Sequence, residues 1–399
     1  MVNQGLAETM GVSVMHLGFA SHHNWSLGNW SLASCVTALL LSSVPASAGL
    51  VETDLVSDIP GRAAVTDPSL VNPWGLAASA AGPWWVADNG TGVSTIYNGN
   101  TGVPSALVVT IPTQAGGSPP SAPTGLVFNN TSGFALPGGN KASFIFATEN
   151  GTIAGWNGGQ GTLAVNMADL SSGGSVFKGL AIGSVGLANY LYATDFANSG
   201  AVKIFDTGFA PTTLAGTFTD PTLPSGYAPF GIKNLGGKLY VTFALQGVGG
   251  DEAHGAGLGY VDVFDTNGNF ISRVAGGGVL DAPWGLAIAP TNFDAYSNDL
   301  LIGNFGDGRI NAYDPSTYNF MGQLLDQQGN PISIDGLWDL GVGNGASGGS
   351  SNGLFFTAGL DDESHGLFGE LHVPEPFTLS IFGAGLAGAA FLRRREKRK

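Results

Sequence analysis

Asn72-Pro73-Trp74-Gly75-Leu76 decides the reading, because the same pattern returns along the chain. It recurs as Ala122-Pro123-Thr124-Gly125-Leu126, Val176-Phe177-Lys178-Gly179-Leu180, Ala228-Pro229-Phe230-Gly231-Ile232, Ala282-Pro283-Trp284-Gly285-Leu286 and, more loosely, Ile334-Asp335-Gly336-Leu337. The glycines fall at 75, 125, 179, 231, 285 and 336, in steps of 50, 54, 52, 54 and 51. A period of that length marks a repeated supersecondary unit that cannot bury its apolar face alone.

Within each unit a second apolar segment follows the glycine, then a turn of Asp, Asn and Gly, then an alternating segment ending in an aromatic residue and Asp or Asn. Trp84 to Ala87 leads through Asp88-Asn89-Gly90 to Thr95-Ile96-Tyr97-Asn98, and Leu300 to Gly303 leads to Arg309-Ile310-Asn311-Ala312-Tyr313-Asp314. Alternation bounded by such turns is the pattern of a hairpin. A fourth strand precedes the next motif, as in Ala106 to Ile111, Ile271 to Ala275 and Phe320 to Leu325. Four strands in each of six units predict an all-β, six-bladed β-propeller over residues 49–373. The sixth unit runs out at Leu367 to Val373, so its outer strand is expected from Thr53-Asp54-Leu55-Val56, which closes the ring and removes an open edge.

Composition agrees. The 399 residues include 64 glycines and are only 11% charged, and the net charge is -15. Six of the 14 basic residues crowd into the last seven positions, which leaves residues 49–373 with 8 basic against 26 acidic side chains, a net of -18. Such a surface repels phosphate backbones and argues against nucleic acid as a partner. The one cysteine, Cys35, lies outside the repeats, so the repeat region has neither a disulfide framework nor a thiol nucleophile.

The two ends read as targeting segments. Leu32 to Val44 is apolar and Ala46-Ser47-Ala48 follows as a small-residue cleavage site, so residues 1–48 read as a signal peptide. The departure from that pattern is an n-region, residues 1–31, without Lys or Arg. At the other end Pro374-Glu375-Pro376 precedes an apolar stretch, residues 377–392, and then the basic tip with Arg393, Arg394 and Arg395. That stretch reads as a short transmembrane helix held at its basic end in the cytoplasm.

Residues 374–399 resemble the PEP-CTERM sorting signal in the order of these three parts. The resemblance implies a Gram-negative origin, recognition by an exosortase, passage through the inner membrane, and delivery to the cell surface or medium, often beside extracellular polysaccharide. The repeats resemble the NHL and gluconolactonase-like six-bladed propellers in Pro73-Trp74-Gly75-Leu76 and in the hairpin Asp307 to Asp314. Residues 51–372 are similar to a family of uncharacterised exported bacterial proteins, through Leu55-Val56-Ser57-Asp58, Asn72-Pro73-Trp74-Gly75 and Trp85-Val86-Ala87-Asp88-Asn89-Gly90-Thr91-Gly92. That similarity implies a fold and an address, and no reaction.

Candidate chemistry concentrates where the turns between second and third strands meet the links between blades, at one mouth of the channel. The residues expected there are Asp88, Asn89, Glu149, Asn150, Asp195 and Asn304, with Trp74, Lys178, Phe230, Trp284 and Trp338 at the links. The gluconolactonase-like resemblance implies a metal at such a mouth, held by Glu, Asn and Asp; acid and amide side chains are equally the common turn formers. Two longer turns carry nearly the same string, Asp251-Glu252-Ala253-His254-Gly255 and Asp362-Glu363-Ser364-His365-Gly366. Asp251, Glu252, His254, Asp362, Glu363 and His365 are therefore candidates for a divalent metal such as Ca²⁺. The link aromatics either stack on sugars or wedge neighbouring blades. No phosphate loop, His-Glu-x-x-His or zinc-spaced cysteine set occurs, and the serines of the glycine-rich loops Gly173-Gly174-Ser175 and Gly348-Gly349-Ser350 have no base nearby in sequence. The leading expectation is a propeller that binds a ligand or matrix component such as polysaccharide; the alternative is a metal-dependent lactonase or hydrolase.

Overall fold

A computed structural model describes residues 49–197 and 200–374. The predicted signal peptide, transmembrane helix and most of the sorting motif, including Glu375, Pro376 and Arg393 to Arg395, lie outside the described residues. Among the described residues no helix is long and apolar enough to cross a membrane.

Six sheets follow one another along the chain, each ordered from an inner to an outer strand and antiparallel except where Val65–Thr66 pairs parallel with Val51–Ser57 at the outer edge of the closing sheet. The inner strands are Pro73–Ala78, Pro123–Phe128, Phe177–Val185, Tyr227–Leu235, Pro283–Ile288 and Leu337–Val342, so every copy of the motif opens or flanks an inner strand. The sixth blade contributes three strands, and Val51–Ser57 pairs antiparallel with its third, Leu367–His372, as the fourth. Ring closure is as the sequence predicts, with the closing strand longer than the four residues expected.

The packing explains why most second strands read as unbroken apolar runs. Alternate residues of a strand point to opposite faces, and here both faces meet another blade. In Leu191-Tyr192-Ala193, Leu191 and Ala193 pack with Ile145 and Phe177 toward blade two, whereas Tyr192 packs with Ile232 and Val241 toward blade four. Six apolar clusters occupy the six junctions between neighbouring blades in this way. A seventh sits on the axis.

The motif has a specific mechanical role. Every inner strand carries a register shift at the motif, between Pro73 and Leu76, Pro123 and Leu126, Phe177 and Gly179, Pro229 and Ile232, Pro283 and Gly285, and Leu337 and Leu340. A bulge re-aims a side chain, and here it brings motif side chains such as Trp74, Phe230, Trp284 and Trp338 together on the axis. The glycine beside it lets adjacent inner strands touch backbone to backbone. A Cβ at Gly75 would meet the Thr124 carbonyl, at Gly231 the Trp284 carbonyl and at Gly285 the Trp338 carbonyl.

Blade six corrects the sequence alignment. Leu337 pairs with Ala358 and Leu340 with Phe356, as Pro283 pairs with Asn304 and Leu286 with Ile302 in blade five. The residue equivalent to Gly285 is therefore Asp339 and not Gly336, which lies three positions earlier with a positive φ against the Gly359 carbonyl.

Candidate functional site

The six axial positions defined by the bulges are Trp74, Thr124, Lys178, Phe230, Trp284 and Trp338. The four aromatics close the channel. Trp74 and Trp338 stack at 3.5 Å between centroids, and Phe305, from the second-to-third-strand turn of blade five, stacks on the other side at 4.0 Å. Trp284 meets Trp74 edge-on at 6.0 Å, and Phe230 meets Trp338 at 5.9 Å. These rings are buried. They pack on one another on the axis, while the junctions between blades are filled by the other clusters.

Lys178 stands against this plug with its ammonium 5.0 Å from the Trp74 centroid, and its side chain is only 2% exposed. Carboxylates from two turns compensate it. Glu149 lies 2.6 Å from Nζ, and Asp251 and Glu252 each lie 3.6 Å away. Burial alone would lower the lysine pKa, but Glu149, Glu252 and Asp251 outweigh it and hold the group above its ordinary value. Burial raises Glu252 against the pull of Lys178. At 3.6 Å its Oε2 is within ion-pair reach but beyond hydrogen-bond reach, and it has no hydrogen-bond partner. Glu363 is pushed to about 7 by burial and by Glu252, with Lys178 opposing. A hydrogen-bond chain runs on from the cluster: Asn89 Nδ2 donates to Glu149 Oε2, Asn72 Nδ2 to Asn89 Oδ1, and Trp338 Nε1 to Asn72 Oδ1.

The predicted site residues thus divide. Glu149, Asn89, Asp251, Glu252 and Glu363 come together around Lys178. Asn150 accepts the Ala122 N–H, Asp195 accepts those of Val176 and Ala197, and Asn304 donates to the Val279 carbonyl, so these three tie a turn to the link before it. Asp88 is buried and accepts the Thr95 N–H. The histidines leave the cluster: His254 packs on Phe305, and His365 Nδ1 sits 2.7 Å from Asp58 Oδ2. Asp362 is exposed. Among the described residues no three His, Cys, Asp or Glu side chains form a metal-holding group. Of the paired-loop carboxylates, Asp251 and Glu252 lie within ion-pair reach of the Lys178 ammonium, and Glu363 feels the same charges from the other loop.

Beyond the plug, toward the opposite face, the channel widens into a cavity of about 620 Å³ lined by the later halves of the inner strands. Its walls are mixed: Leu76, Leu126, Phe128, Leu180, Ile182 and Ile232 supply apolar surface, Asn130, Thr131, Ser184, Asn234 and Thr266 supply polar groups, and Trp284 also lines it. One ion pair crosses it: Lys233 Nζ of blade four bonds Asp339 Oδ1 of blade six at 2.7 Å and the Leu340 carbonyl at 3.1 Å. Asp339, standing where other blades have glycine, also accepts the Leu76 N–H and so joins the last blade to the first. Sequence reasoning missed this pair. Aligning blade six by its tryptophan instead of its glycine brings Asp339 into the motif.

Fold and site together define a six-bladed β-propeller with an aromatic stopper, a caged lysine on one side and a blind funnel on the other. No family model matches the chain. It is 34% identical over 333 residues to uncharacterized protein R648 of Acanthamoeba polyphaga mimivirus, spanning 79% of this chain and 78% of that one. It is 32% identical over 337 residues to uncharacterized protein L690 of the same virus, spanning 79% and 84%. The chain belongs to the family of these proteins. Similar solved structures include the PQQ-bound aldose sugar dehydrogenase of Streptomyces coelicolor, with TM-score 0.47, 13% identity, and 82% of this chain and 99% of that one covered. Regucalcin, a calcium-binding protein of Agrobacterium tumefaciens, gives 0.46 at 14% identity, covering 77% and 92%. Identities this low carry no residue role across.

Proposed function

We propose that this chain is an exported propeller that binds a small ligand in its blind funnel and is delivered to the cell surface by its C-terminal sorting signal. The observation that supports binding over turnover is the closed axis. The aromatic plug and the Lys178 cage fill the mouth where a metal-dependent lactonase would need open donors, and leave a cavity of about 620 Å³ on the other face. That volume lies within the range of about 300–1,000 Å³ usual for small-molecule sites, which pair apolar walls with a few placed polar groups.

Native mass spectrometry of the full-length chain purified from its own cells tests the reading. A small-molecule adduct lost in Leu126→Trp, which fills the funnel, is the expected result. Metal-dependent hydrolysis of lactones or esters that persists in Leu126→Trp would instead establish the hydrolase alternative. The address has its own test. Changing Pro374, Glu375 and Pro376 to Ala should shift the protein from surface to inner membrane in cells that carry an exosortase.

A further inference from the structure

The funnel's single ion pair is asymmetric, and that asymmetry selects a ligand. Lys233 is 29% exposed and Asp339 only 5%, so the cavity meets the ammonium end of the pair. The carboxylate is turned into the wall. Its Oδ2 takes the Leu76 N–H, and its Oδ1 takes the Leu340 N–H together with Lys233. The lysine is left with capacity: an ammonium has three N–H donors, and two are spent on Asp339 and the Leu340 carbonyl.

Three of the other polar side chains at the cavity are occupied, and the remaining two, Asn130 and Thr266, are uncharged. Asn234 bonds the Ile182 carbonyl and the Gly237 N–H, Ser184 bonds Asn189, and Thr131 bonds Asn129. Lys233 and Asp339 are the ionisable residues of the lining, so Lys233 is its one cation and offers an unspent charged donor beside the apolar side chains. An anion reaching it gains a charge-assisted hydrogen bond, about twice as strong as one between neutral groups.

Resting on the binding reading above, we propose that the funnel is specific for small organic acids: an apolar body against the inner strands and one carboxylate on Lys233. The dipole of the pair favours such a ligand over a neutral isostere and disfavours an amine. The body's net charge of -18 works against anions at long range, so selectivity comes from this contact and not from steering.

Calorimetric titration of the full-length protein with 2-naphthylacetate, its amide and the corresponding amine tests this. The acid should bind about tenfold or more tightly than the amide, the ratio expected when a hydrogen bond to a charged group is lost. Lys233→Met should bring the two within about threefold, and Lys233→Arg should restore the preference. Equal binding of acid and amide by the unaltered protein overturns the acid specificity while the binding reading stands. Binding of none of the three, or binding unchanged in Leu126→Trp, overturns both.

Discussion

At the scale of single residues, the least replaceable side chain is Lys178. It is buried against Trp74 and faces Glu149, Glu252 and Asp251, of which only Asp251 is well exposed, at 80%. Removing one member of a buried pair strands the other, at about 3–5 kcal/mol. Lys178→Met should therefore lower stability in chemical denaturation by roughly that amount at pH 7.5. Part of the loss should be recovered as pH is lowered, because burial already raises Glu252 and without the lysine that carboxyl takes up a proton more readily. Asp251→Asn, at the exposed end of the same cluster, should change stability by less than about 1 kcal/mol. A Lys178→Met protein as stable as its parent at pH 7.5 would show that the cage carries no strong coupling.

At the scale of elements, the inner strand is the repeating device, and its glycine is where the blades touch. Gly231→Ala drives a Cβ into the Trp284 carbonyl of the next blade and should cost about 3 kcal/mol, the upper end of ordinary overpacking. Gly173→Ala, with open space at its Cβ, should be near neutral; thermal melts of the two variants measure the contrast. This contact is also why the fold was legible. Only glycine fits, so the period is written on the sequence in five blades. In the sixth the contact is replaced by Asp339, and Gly336 nearby imitates the missing residue. The cage was legible only in its parts. Glu149, Lys178, Glu252 and Glu363 come from blades two, three, four and six, and nothing local in the sequence says that a closed ring faces them toward one point. The metal expectation rested on two similar loops, but similarity of loops does not reveal that a lysine from a third blade stands between them.

At the scale of the whole molecule, the ring is only as secure as its closure, and the closing blade carries three raised carboxyls of its own. Glu52 on the closing strand, Glu370 on its partner strand and Glu363 in the blade-six loop are each raised from 4.5 to about 7, in every case first by burial. Between those values the folded protein holds protons that the unfolded chain has released. Stability therefore falls as pH rises from about 4.5 to 7. His365, raised by its bond to Asp58, acts in the same direction, because its contribution is lost as pH climbs through its folded value. His372, lowered by burial, acts oppositely below its unfolded value of 6.5. Three carboxylates and one histidine against one histidine decide the sign. Hydrogen exchange, corrected for its intrinsic pH dependence, should show Val51–Ser57 losing protection between pH 5 and 7.5 while Thr152–Trp156 of blade two changes little. Glu370→Gln, which cannot ionise, should reduce that difference. Equal loss in both strands would mean that the ring opens as a unit, with the closing strand no weaker than any other seam.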